Sequence, residues 1–441
     1  MRTKSFFVAA ALTSSAFAAT SITIVDVVPA SLSSERAQNS EPNISVNPAN
    51  PQQIMISAFG NSDFKNPIFF SNDGGANWSL FQYTRVSDQT LAWSDKGAFI
   101  AELSPSAARI FVGVQRHPTA ARHQFHPLPV SLFAPSVGGP DQPWIDVVTV
   151  NIRDHIYVAF NDLSVPSART AAIRFSLDDG LHWRNVHIDR GSPRGQDLPP
   201  VRVKAQGNTV YGVFERPSSN PPSGDVPGDL VIVRDDNAGR DRFKALGAAG
   251  VVVSANELFP QGFLGQERLG SDLSIAVDPN NPARVAVAFG ATSGGLPLVA
   301  LRVSINSGAS WTEVYTTPTN CGLPAVAIAT NGTIGLLYTR LAAGNLETHL
   351  VESADTFAKS TDFTLSRFPD GTPDVVFDPY IGDYMDLVAV GDTFYGTFCA
   401  SNDVSAFPIT PTFLRDTSAL GTTVPFSIDP FFFATDAVSG P

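Results

Sequence analysis

The sequence predicts an all-β chain closed as a single propeller of about seven four-stranded blades. Three observations carry that prediction. The first is a repeated string, Ser-x-Asp/Asn-x-Gly-x-x-Trp, at Ser71 to Trp78, Ser176 to Trp183 and Ser304 to Trp311. Short apolar runs flank each copy, so each reads as a hairpin turn. The Asp or Asn side chain accepts hydrogen bonds from the turn's backbone, Gly supplies a positive φ, and Trp packs beneath. The second is a longer unit: a polar residue, an apolar strand, a turn rich in Asn, Asp, Gly or Pro, and a second apolar strand. It recurs at roughly the 40 to 50 residues of a propeller blade. The third is composition, because abundant Gly, Pro and Phe with short apolar runs fit a turn-rich all-β protein.

Taken in order, the chain opens with Arg2 and Lys4, an apolar stretch from Phe6 to Leu12, and the small-residue site Ala16-Phe17-Ala18. This has the form of a secretory signal over residues 1–18, with the mature propeller occupying 19–441. The expectation is a protein secreted to the extracellular space, or to the periplasm in a bacterium. No later apolar run reaches the roughly 20 residues of a membrane-spanning helix. The blade unit begins at Glu41-Pro42-Asn43-Ile44 and again at Asp95, Asp141, Asp197, Asp272, Asn320 and Asp383. Closure of the ring falls either to residues 21–28 added to the last blade, the favoured arrangement, or to residues 426–434 alone.

The formal charge is −12, charged residues make up 16% of the chain, and no basic cluster tracks phosphates. Nucleic acid and anionic membranes are therefore not expected partners, and the chain reads as a monomer with a glycan ligand. Cys321 and Cys399 are the only cysteines. Both fall toward the same end of the blades, where they either pair or stay free.

Because neighbouring strands are antiparallel, the turns between strands one and two and between three and four share a lower face. The upper face collects residues that precede each first strand and follow each second strand. Its candidates are Glu41, Asp63, Asp95, Arg116, His117, Asp141, Asp162, Asp197, Glu215, Arg216, Asp272, Arg340, Asp383, Tyr384 and Asp403.

The three Ser-x-Asp turns resemble the Asp-box, or BNR repeat, of sialidase-like β-propellers. That resemblance implies a glycan-active protein, a glycoside hydrolase on extracellular or acidic saccharides, with a non-catalytic carbohydrate- or protein-binding propeller as the alternative. Retaining sialidases use a Tyr nucleophile activated by a Glu, an acid/base Asp and three arginines on the substrate carboxylate. Carried over residue by residue, Tyr384 in Tyr384-Met385-Asp386-Leu387 is similar to the nucleophile segment and Asp63 occupies the acid/base position. Asp197 stands where the activating Glu belongs. Arg216 and Arg340 resemble triad arginines, with Glu215 and Asp95 as further substrate contacts. The chain departs from the family at Ser40-Glu41-Pro42, where sialidases carry an arginine. Arg36 fills that role only if its loop folds back. Sialidases also have six blades, which leaves a six-bladed ring as the alternative count.

Other motifs have plainer readings. The histidines of Arg116-His117-Pro118 and Arg122-His123-Gln124-Phe125-His126 suggest a polysaccharide lyase, but lack regular metal-ligand spacing and read first as solvated loop residues. No cofactor is expected beyond a structural calcium near Asp378 and Asp383, and Asn43, Asn77 and Asn331 begin glycosylation sequons.

Overall fold

The computed structural model describes residues 21–33, 38–60, 65–86, 88–104, 109–119, 124–128, 139–165, 169–191, 196–219, 224–262, 264, 273–374, 380–416 and 426–435. They form seven sheets, each four strands wide except the last, which carries a fifth short strand. The inner strands are Ser40–Val46, Gln89–Ser94, Pro140–Val150, Leu198–Gln206, Leu273–Asp278, Cys321–Ile328 and Asp386–Val390. Each packs beside the next, and the seventh packs against the first, so the ring is closed. The expected seven-bladed, all-β architecture is what forms.

Seven hydrophobic clusters hold the ring, one at each contact between neighbouring blades. Each sheet is therefore buried on both faces. This explains why so many strands read as nearly continuous apolar runs, such as Ile156-Tyr157-Val158-Ala159-Phe160, with no polar alternation.

Closure uses both chain ends. Ile428–Thr435 is the third strand of blade 7, and Ile22–Asp26 pairs antiparallel with it as the fourth. Thr412–Phe413 adds a short parallel strand outside. The upper end of this clasp holds a fully buried ion pair, Arg415 Nη1 to Asp429 Oδ2 at 2.7 Å, and Arg415 Nη2 donates to the Ser33 carbonyl at 3.0 Å.

The three repeated turns share one hydrogen-bond pattern and one face. The Ser hydroxyl accepts the amide of the fifth residue, at 2.9 Å in Ser71 to Gly75, 3.0 Å in Ser176 to Gly180 and 2.9 Å in Ser304 to Gly308. Trp Nε1 donates to that fifth residue's carbonyl at 2.8, 3.0 and 3.1 Å. At Gly75, with φ of 92°, a Cβ would lie 2.2 Å from the Phe432 ring, so glycine is required for contact as well as conformation. A fourth turn of the same kind, Ser353 to Lys359 in blade 6, has the left-handed positions filled by Thr356 and Phe357 at φ of 58° and 66°. In blade 4, Asp235 takes the serine's place and accepts from the Asn237 and Gly239 amides, both at 2.8 Å.

Several expectations are corrected. Blade 2 begins after Asp88, and Asp95 lies in the tight turn between strands one and two, on the lower face. Its amide donates to Thr149 Oγ1 at 3.2 Å. Arg116 and His117 follow the third strand and also lie below, with Arg116 bonded to Asp154 at 2.5 Å. Cys321 and Cys399 are both buried and do not pair with each other. Cys321 sits in the core between blades 5 and 6 and Cys399 in that between blades 6 and 7. Arg36, Asp63, Asp272, Asp378, His123 and the segment 1–18 lie outside the described residues. Among the described residues, no group of three or more His, Cys, Asp or Glu side chains is placed to hold a metal ion.

Candidate functional site at the channel axis

Inner strands leave little room for polar chemistry except at their upper ends and along the axis. Three of them start with the same irregularity. Glu41, Gln142 and Leu323, each followed by proline, have φ of 50°, 48° and 53°, and the strand register shifts there. Left-handed backbone costs a non-glycine residue about 1–3 kcal/mol, and bulges of this kind re-aim side chains at rims and sites. Here they turn Glu41 and Gln142 into buried positions at the top of the channel. Gly382 of blade 7 packs so closely that a Cβ would meet the Glu41 amide at 2.4 Å.

Beneath the bulges sits an aromatic and charged plug. The Arg202 guanidinium lies over the Trp144 ring at 4.0 Å, and the Tyr384 ring meets Trp144 edge-on at 5.7 Å. Arg202 is 1% exposed, and among the described residues none of its three side-chain nitrogens has a hydrogen-bond partner. Burial pulls its pKa down to about 9, opposed by the nearby Tyr384, Asp386, Glu215 and Asp383. Burial also drives the Tyr384 hydroxyl well above its usual range, reinforced by Glu41 and Asp88. Both effects favour the protonated phenol.

Below the plug, Asp386 accepts from Asn43 Nδ2 at 2.7 Å and from the Ile44 amide at 3.3 Å. Burial raises its pKa to about 6, with the Ile44 and Leu387 backbone amides, Lys204 and Arg202 pulling the other way. Lys204 is bonded to Asp146 at 2.8 Å. Arg202, Trp144 and Asp386 border an axial cavity of about 310 Å³, which continues down to Pro48 and Pro279 in the lower turns.

The sequence-predicted residues thus divide. Tyr384, Glu215 and Asp383 gather around Arg202. Asp197 and Arg216 belong to a different network between blades 3 and 4. Arg216 Nη2 holds Asp189 at 2.6 Å, and Arg169 Nη1 holds Asp197 at 3.2 Å. Burial and the adjacent Asp189 raise Asp197, while bonds from Arg216, Asp197 and the Gly191 amide outweigh burial and keep Asp189 low. The two aspartates are thus pushed in opposite directions, and both arginines are engaged with them. Arg340 lies at the upper end of the second strand of blade 6, beside Glu347 in the strand register, with its Nε lacking a hydrogen-bond partner among the described residues. Arg202 and Trp144 were not among the predicted site residues. The signal for Arg202 is two basic residues alternating with valine in Val201-Arg202-Val203-Lys204, on a strand otherwise reading as core.

The chain matches no family model and no curated protein. Among solved structures it resembles a polysaccharide lyase of the ulvan lyase family PL25 at 12% identity and a TM-score of 0.48, covering 82% of this chain and 92% of that one. It also resembles the GH93 α-L-arabinofuranosidase of Fusarium graminearum in complex with arabinobiose at 12% identity and a TM-score of 0.46, covering 95% and 98%. The α-L-arabinanase of Penicillium chrysogenum, complexed with arabinobiose, gives 13% identity, a TM-score of 0.39 and coverage of 92% and 97%. Likeness at this level carries no activity across.

Proposed function

We propose that the protein is an exported glycan-active propeller of the sialidase-like, Asp-box kind, and that it recognises a saccharide at the channel axis. The observation that carries the reading is Arg202, a buried guanidinium 4.0 Å over the Trp144 ring, without hydrogen-bond partners among the described residues, bordering a cavity of about 310 Å³. Hydroxyl-rich ligands suit such a place, because the guanidinium offers five N–H donors and the surrounding carboxylates accept from sugar hydroxyls. Export rests on the signal-like segment ending at Ala18.

Recognition is favoured over attack by Tyr384. A nucleophilic phenolate needs a lowered pKa, and burial with three acids nearby acts in the opposite sense. Screening the purified protein against a glycan panel for binding and for turnover tests both parts. Binding weakened at least about tenfold by Trp144→Ala, with Tyr384→Phe changing turnover little, is the expected result. A panel with no ligand sinks the glycan reading. Turnover that collapses by orders of magnitude in Tyr384→Phe, with the fold intact, restores the tyrosine as nucleophile.

A further inference from the structure

The two ends of the axial channel are built differently. Trp144 belongs to blade 3, and Tyr384 leads into the inner strand of blade 7. Those blades are not neighbours in the ring, so the edge-on contact of the two rings at 5.7 Å spans the axis. Arg202 of blade 4 lies 4.0 Å over the same indole. Around this plug the upper parts of the inner strands are drawn together. Asn43 Oδ1 accepts the Leu91 amide at 2.6 Å, Thr90 Oγ1 donates to the Pro143 carbonyl at 3.0 Å, and Gly382 leaves no room for a Cβ against Glu41. Glu41, Gln142 and Tyr384 are all buried, and none of the three lines the cavity. Below the plug the walls open. Arg202 and Lys204, two residues apart on one strand, face the same side. Arg202 is 1% exposed, whereas the Lys204 side chain, bonded to Asp146, is 42% exposed. Further down, the cavity wall ends at Pro48 and Pro279, which are exposed in the turns between strands one and two of blades 1 and 5. Among the described residues, the cavity's continuous way to solvent therefore runs downward.

We infer that a ligand enters the axial cavity through its lower mouth, past Pro48 and Pro279, and reaches Arg202 last. The inference rests on the glycan reading above and deepens it. The saccharide arrives on the face that carries the Ser-x-Asp turns, opposite the upper face where residues at the strand entrances were expected to meet it. Arg202 and Trp144 form the roof against which it stops. About 310 Å³ is at the small end of ligand pockets, which run from ~300 to 1,000 Å³, so only a small part of a saccharide fits beneath that roof and the remainder extends out through the lower mouth.

The test blocks one mouth at a time in the full-length mature protein. Cys321 and Cys399 are buried, so an introduced thiol is the one that labels in the folded protein. Pro48→Cys and Pro279→Cys place it on the lower turns, and Gln196→Cys places it just ahead of the inner strand Leu198–Gln206, at the upper end. Each variant is compared before and after reaction with a bulky polyethylene glycol maleimide, which separates the block from the substitution. Maltotriose, xylotriose, arabinotriose and galactotriose are the probes, and their association is followed by stopped-flow fluorescence of Trp93 and Trp144 in the cavity wall. Either lower label is expected to slow association of a bound probe at least about tenfold, and the upper label to change it less than about twofold. Slowing by the upper label that equals or exceeds that of the lower ones, or no slowing by either lower label, overturns this inference and leaves the glycan reading standing. Unlabelled protein that binds none of the four overturns both. The two lower positions are independent, so one misfolded variant leaves the test decisive.

Discussion

Replacing Arg415 with methionine tests how the ring is closed. Arg415 and Asp429 are both 0% exposed and meet at 2.7 Å, and Asp429 also accepts from Asn402 Nδ2 at 2.9 Å and Ser427 Oγ at 2.6 Å. Arg415→Met keeps most of the volume but leaves Asp429 buried next to Asp26 without its cation. Removing one partner of a buried pair costs about 3–5 kcal/mol. With an unfolding entropy of about 0.9 kcal/mol/K for a chain of this size, the midpoint falls by about 3–6 °C. The loss also depends on pH. Burial and then Asp429 raise Asp26, and Arg415 is among the groups that hold it down, so the variant raises it further. A raised carboxyl favours the fold fully below its unfolded value near 3.9 and loses that contribution as pH rises through the folded value. The deficit of Arg415→Met is therefore larger above the folded value of Asp26 in the wild type than below it. Calorimetric scans of both proteins across a pH series measure it. A deficit under 1 kcal/mol, or one that does not change with pH, would refute this account of the clasp.

Two smaller perturbations follow from single side chains. Glu352 is 5% exposed, its Oε1 lacks a hydrogen-bond partner among the described residues, and burial raises its pKa from 4.5 to about 7. Its contribution to stability is complete below about 4.5 and is lost as pH rises through 7, on the order of 3 kcal/mol; Glu352→Gln should match the wild type near pH 5 and exceed it at pH 8, and parallel stability curves for the two proteins would contradict this. Thr356 is a β-branched residue held at φ of 58° in the fourth turn, so Thr356→Asn should add about 0.5–1 kcal/mol, while Ser353→Ala, which removes the acceptor of the Phe357 amide at 2.7 Å, should cost about 1 kcal/mol in urea melts.

The fold was legible because it rests on local chemistry repeated along the chain. A Ser-x-Asp turn announces itself wherever it occurs, and both-face burial makes the blades' strands visibly apolar. The fourth turn is not legible as a string because Phe357 stands where the glycine was expected and Ser360 where the tryptophan was; a hydrogen-bond pattern survives a change of residue type that a string match does not. The start of blade 2 was misplaced for a related reason. Asp95 looked like the acid leading a strand, yet it follows Trp93-Ser94 in a tight turn, and Asp88 leads the strand instead. The site was less legible because partnership is a property of space. Asp197 and Glu215 are both acids at the upper ends of strands in blade 4. Asp197 is held by Arg169 next to Asp189, whereas Glu215 lies in the field of Arg202.

That contrast bears on why the axis, and not the blade 3–4 network, is the proposed place for a ligand. At Asp189 and Asp197 two arginines, the Ala171 amide at 2.9 Å and the Gly191 amide at 2.8 Å engage the carboxylates, which gives the cluster its stability and leaves its arginines committed to protein groups. At the axis the arrangement is reversed. Arg202 bears the desolvation cost of a full charge, donates no hydrogen bond to the described residues, and depends on an aromatic face and the field of nearby acids. Three inner strands meanwhile hold strained residues at the rim above it. A buried ion pair stabilises only when its hydrogen bonds are complete, so the Arg202 site is ill suited to a purely structural role. Oxygen acceptors from a bound sugar would complete the donors that the surrounding side chains leave open.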